Sequence, residues 1–68
     1  MKVRYEDRYI VEVSIGKWLQ VVGGDYAAVN HWEATFFRSR IAAEEWARRA
    51  RERGDLGVVC YHAIGVES

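Results

Sequence analysis

Apolar and polar residues alternate from Arg8 to Ile15: Tyr9, Val11, Val13 and Ile15 share one side, Arg8, Ile10, Glu12 and Ser14 the other. Period two with β-branched residues predicts a half-buried strand. Gly16-Lys17 follows and suits a two-residue hairpin turn with Gly first. Residues 18–23 then form the return strand in one of two registers. A two-residue turn places Trp18, Gln20 and Val22 beside Ile15. A three-residue turn places Leu19 and Val21 there, a more apolar set. Gly23-Gly24-Asp25 is the next break, and residues 26–30 read as a loop, a short helical turn or a bulged extension of the second strand. Alternation resumes over residues 31–37, with Trp32, Ala34 and Phe36 on one face and His31, Glu33, Thr35 and Phe37 on the other, which predicts a third strand.

The period changes to that of a helix over residues 40–53. Ala42, Ala43, Trp46, Ala47 and Ala50 form one stripe, with Trp46 as its single large anchor. Ser39 is placed to cap the start, although Ala42 stands where a capping box has Glu or Gln. Glu44 and Glu45 precede Arg48 and Arg49 by four residues, the favourable order for such pairs. Arg48, Arg49, Arg51 and Arg53 lie near the negative end of the helix dipole, and Gly54 is the expected terminator. Residues 57–66 are apolar on both faces, as an interior strand is.

The pattern predicts an α+β domain spanning residues 1–68. Its order is β-β-β-α-β, a four-stranded, mostly antiparallel sheet with one helix on one face. A right-handed connection through the helix would set the last strand parallel to the third and beside the first. That arrangement leaves the second sheet face without a helix. The last strand, either register of the second strand and Phe37 all offer apolar residues to it. Bare apolar surface of that kind marks a protein-binding or self-association surface.

Composition narrows the classes. Half of the 68 residues are apolar, which excludes a disordered chain, and the length excludes two domains and most enzyme scaffolds. No apolar run approaches a membrane span, and residues 1–8 carry too many charges for a secretory signal. One cysteine forms no internal disulfide, so a reduced cytoplasmic setting is expected. A chain this short has a marginal core, which leaves efficient packing or a homodimer to complete it.

Candidate chemistry is sparse. Cys60 and His62 lie two apart on one strand face, and His31 would be a third ligand, but the spacing matches no zinc finger or ribbon. No metal or cofactor is expected. A Cys–His nucleophile lacks an Asn or Asp placed to orient the imidazole, and no enzymatic activity is expected. Gly23-Gly24-Asp25 fits no phosphate-loop spacing. Six of the ten basic residues fall between Arg38 and Arg53, giving that segment +3 and the remainder −3. A basic helix of this kind makes a nucleic-acid-binding regulator the second reading, against a net charge of zero. The leading reading is a non-enzymatic protein-binding module. Trp, Tyr and Arg dominate interface hot spots, so the partner-binding candidates are Trp18, Trp32, Phe37, Arg48, Arg49, Arg51, Arg53 and Tyr61. A dimer would pair sheet faces or edge strands through some of Trp18, Trp32, Phe37 and Tyr61, leaving the arginine face outside.

The β-β-β-α-β layout, with Phe36-Phe37-Arg38-Ser39 leading into Ala43-Glu44-Glu45-Trp46-Ala47-Arg48-Arg49-Ala50, resembles many small proteins of bacteriophages and mobile elements. Some of these are inhibitors that occupy a surface of a host polymerase or a defence complex, anti-CRISPR proteins among them. The resemblance covers size, element order and style over most of the chain, and contains no diagnostic motif that carries a functional residue across. It implies an inhibitor acting in the host cytoplasm. Inhibitors of this kind that mimic DNA are strongly acidic, and this chain is neutral. The resemblance therefore implies direct blocking of a protein surface.

Overall fold

The computed structural model describes residues 2–67. Strands β1 (Val3–Ser14), β2 (Lys17–Val22) and β3 (Asp25–Val29) precede a single 3-10 turn (His31–Glu33), helix α1 (Arg40–Glu52) and strand β4 (Val58–Glu67). One four-stranded sheet results, in the order β3-β2-β1-β4. Each neighbouring pair is antiparallel, so the expected parallel relation between the third and last strands is corrected: β4 runs opposite to β3. Its place beside β1 is as expected, but it lies at the edge of the sheet, which corrects the reading of residues 57–66 as an interior strand.

The first hairpin turns one residue earlier than expected. Ser14 pairs with Lys17, leaving Ile15 and Gly16 as the turn, and Gly16 has φ +74°. A bulge between Glu12 and Ser14 then shifts the register. Its effect is to bring Leu19, fully buried, to the side of Val11 and Val13, so the more apolar of the two candidate sets faces the core. Gly23-Gly24 is a second two-residue turn, joining Val22 to Asp25 with Gly23 at φ +61°. The third strand is therefore Asp25–Val29 and not residues 31–37.

Residues 34–37 have a different task. The ladder between β1 and β2 covers only the end near their turn. Beyond it this segment fills the gap. The Thr35 N–H donates to the Leu19 carbonyl (3.0 Å), and Thr35 Oγ1 accepts from the Val21 N–H (2.8 Å). Phe37 and Tyr9 exchange two backbone bonds of 2.8 and 2.9 Å. Phe37 thereby packs against the helix-side core and does not lie on an open face.

Helix α1 begins where Ser39 Oγ accepts the Ala42 N–H at 3.3 Å. It ends at Gly54 (φ +93°), with the Asp55 N–H reaching back to the Ala50 carbonyl, so a left-handed residue closes the last turn. Its buried residues are Ala43, Ala47 and Ala50, all at 0% exposure. Trp46 is only half-buried at the margin of the core, which corrects the expectation of a single large anchor. Small side chains let the helix lie close to the chain beneath it. At Gly57 a Cβ would stand 2.3 Å from the Ala47 carbonyl oxygen, so only glycine fits there.

The face opposite α1 is not bare in its centre. The Trp18 ring meets the His31 ring edge-on at 5.3 Å. His31 in turn contacts His62 at 5.3 Å and Phe36 at 5.9 Å. Trp18 stands on β2 opposite Glu12, and His62 on β4 opposite Arg8. The rings therefore bridge across β1 above Ile10, which is 2% exposed. The turn at residues 30–33 and the Phe36 ring cover this part of the face, and the expectation of an uncovered face is corrected to that extent.

Candidate functional site

The most regular element is the ribbon of β1 and β4, ten consecutive pairs from Val3↔Glu67 to Glu12↔Val58. A strand of twelve residues extends about 40 Å, whereas the thirteen-residue helix covers about 20 Å. The molecule is accordingly elongated, 44 × 22 × 22 Å. Val3 and Tyr5 on β1 and Val58 and Tyr61 on β4 are all exposed along this ribbon. The Tyr61 hydroxyl donates to Asp7 Oδ1 (2.8 Å), a bond that holds its phenol above the ordinary pKa, and its ring meets Tyr9 edge-on. On the other face Arg8 bonds Glu6 at 2.7 Å and holds that carboxyl below the usual range.

The second feature is the loop that carries Trp32. Lys17 Nζ donates to Asn30 Oδ1 (3.3 Å), and Gln20 Nε2 donates to the Glu33 carbonyl (3.0 Å). The Glu33 N–H donates to the Asn30 carbonyl, and His31 stands between the Trp18 and His62 rings. Four attachments brace three residues, yet Trp32 between them is 77% exposed.

The arginines of α1 are engaged within the chain. Arg48 bonds Glu45 (2.6 Å) and Glu52 (3.0 Å), which raises its pKa. Arg49 lies 4.5 Å from the Trp46 ring centroid. Arg51 donates to the Gly57 carbonyl (2.6 Å) and so ties the helix to the start of β4. Arg53 pairs with Asp25 (2.6 Å) and covers the Tyr26 ring. Burial, and then the hydrogen bond to Asp55, raise the Tyr26 phenol.

No protein family, curated protein or solved structure matches the chain.

The eight candidate residues do not converge. Trp18 is part of the ring cluster, Phe37 of the helix-side core, and the four arginines of the outer helix surface and its end. Trp32 and Tyr61 are the two that stand exposed as large apolar groups. Cys60 and His62 do share a sheet face, and His62 does meet His31. Among the described residues no group of three or more His, Cys, Asp or Glu is placed to hold a metal. Burial raises the Cys60 thiol, which disfavours the thiolate a nucleophile needs. The described residues include no helix long and apolar enough to cross a membrane. Sequence reasoning missed the four-ring cluster, because it joins β2, a loop and β4, and no local spacing signals such a meeting.

Proposed function

We propose that the chain is a non-enzymatic protein-binding module that presents Trp32 as an anchor to an apolar slot on a partner. The supporting observation is the braced loop: its two ends are tied to β2 through Lys17–Asn30 and Gln20–Glu33 while its largest side chain is left in water. A pre-positioned tryptophan loses little freedom on binding and buries a large apolar area, the combination that makes hot spots. The size and element order favour a phage-type inhibitor, one that acts in the cytoplasm by covering a surface of a host or defence protein.

The nucleic-acid reading ranks second. Arg48, Arg49, Arg51 and Arg53 each have a partner within the chain, and a phosphate would have to compete with it. Titration of labelled single- and double-stranded DNA and RNA at low salt tests the choice. No binding is expected. Binding that falls steeply with salt, with the slope reduced by Arg49→Gln or Arg53→Gln, would overturn the protein-binding reading.

A further inference from the structure

Among the described residues the outer edge of β4 is open: β4 ends the sheet, and β1 is its strand neighbour. Which of its backbone groups point outward follows from Tyr9. The N–H and carbonyl of Tyr9 are both bonded to Phe37, on the side away from β4. Tyr9 and its partner Tyr61 are thus a non-hydrogen-bonded pair, and such pairs alternate with bonded ones along an antiparallel ladder. The outward groups of β4 accordingly belong to Val59, Tyr61, Ala63, Gly65 and Glu67. Natural edge strands are blunted by lysine, proline, bulges or brevity. β4 is ten residues long, has an unbroken register with β1, and contains no Lys, Arg or Pro. β3, at the opposite edge, has only five residues.

We propose that β4 pairs antiparallel with β4 of a second copy about a two-fold axis at His62, joining the two sheets into one of eight strands. The sequence of β4 is complementary to itself in this register. On the helix side Tyr61 faces the second copy's Ala63, and Val59 faces its Gly65, a large residue against a small one each time. On the other side Val58 faces the second copy's Val66, and Cys60 its Ile64. Moving the axis one residue onward sets Glu67 against Val59 and loses this match. Helix α1 leaves room for the second strand, since Tyr61 on its side of the sheet is 61% exposed. A second copy also adds core to a chain whose fully buried residues are few, three of them alanines of the helix. The pairing closes on itself, because each edge is used once in an isologous contact. Trp32 is not part of it, so this dimer and the Trp32 reading stand or fall separately.

Sedimentation equilibrium of the full chain at micromolar concentration is the first test. The expected mass is twice 7.9 kDa. Ala63→Pro removes an outward N–H and no bond to β1, and proline is tolerated on such an edge. It is expected to keep the circular dichroism spectrum and to sediment at 7.9 kDa. A second variant reads the register directly. Opposed residues of a non-hydrogen-bonded pair have Cα atoms about 4.5 Å apart, within disulfide range. Ile64→Cys, with native Cys60, is expected to give a covalent dimer on mild oxidation, and Ile64→Cys/Cys60→Ser none. A wild-type mass of 7.9 kDa at every concentration would overturn the proposal and leave the edge to another protein's strand. So would an Ile64→Cys chain that stays monomeric under oxidant, or a folded Ala63→Pro chain that still dimerises.

Discussion

Gly57 and Gly54 both have positive φ, but their surroundings differ. A Cβ at Gly54 meets nothing within 4 Å, while at Gly57 it meets the Ala47 carbonyl and the Arg51 side chain. Gly54→Ala therefore carries backbone strain alone, about 1 kcal/mol. Gly57→Ala adds a forced separation of α1 from β4, for a total of about 2–4 kcal/mol. Thermal melts of the two variants check the order, and equal losses would contradict the close approach of Gly57 to α1. Tyr26 gives a prediction of another kind. Its raised pKa means that the fold favours the neutral phenol. The contribution is complete below the ordinary tyrosine value of about 10 and is lost as pH rises through the raised value. The gap in melting temperature between wild type and Tyr26→Phe is expected to close above that pH. A gap that stays constant would show that the fold does not favour the neutral Tyr26 phenol. At this scale the sequence was a good guide for caps and turn glycines, whose chemistry is local. It was silent on Gly57, where the constraint comes from a helix ten residues earlier.

Local period made α1 legible, and β1 from Arg8 onward, although the strand begins at Val3. Ser39, the alanine stripe and Gly54 all act where their spacing says, because a helix is stabilised mainly by its own bonds and one packed face. Trp46 was misjudged because a helical stripe gives direction and not depth. Because its ring is only partly buried, Trp46→Ala is expected to cost about 2 kcal/mol, below the 3–5 of a fully buried ring, as urea titration would read. A loss within that higher range would place Trp46 deeper than described. Residues 31–37 were misread for a different reason. Alternation is necessary for a paired strand but not sufficient, and the Gly23-Gly24 turn had already delivered the third strand to β2. The proposed pairing of β4 with a second copy makes a residue-by-residue forecast for amide exchange. His62 and Ile64 are protected by β1 at any concentration. Tyr61, Ala63 and Gly65 are protected only when the chain is concentrated enough to dimerise. Uniformly fast exchange at those three would contradict the paired edge.

For the whole molecule, the pattern of faces had implied one covered side and one bare side. The structure divides the apolar surface differently. Alanines, Leu19 and the β1 valines form the helix-side core, and the ring cluster of Trp18, His31, Phe36 and His62 caps Ile10 on the other side. The large apolar residues that stay exposed include the ribbon residues Val3, Tyr5, Val58 and Tyr61, Trp32 on its loop, Ile15 in the hairpin turn and Ile41 on the helix. That outcome was not readable beforehand because burial of a loop over a sheet depends on contacts 13 to 31 residues apart, such as Trp18 with His31 and His31 with His62. The central claim is that Trp32 is held in place for a protein partner. Immobilised wild type and Trp32→Ala, both checked for unchanged melts, can be compared by quantitative capture from host lysate at high salt, with and without nuclease treatment. The account predicts a protein retained by wild type and lost with Trp32→Ala. Retention of the same proteins by both chains, or retention that vanishes once nucleic acid is digested, would contradict it.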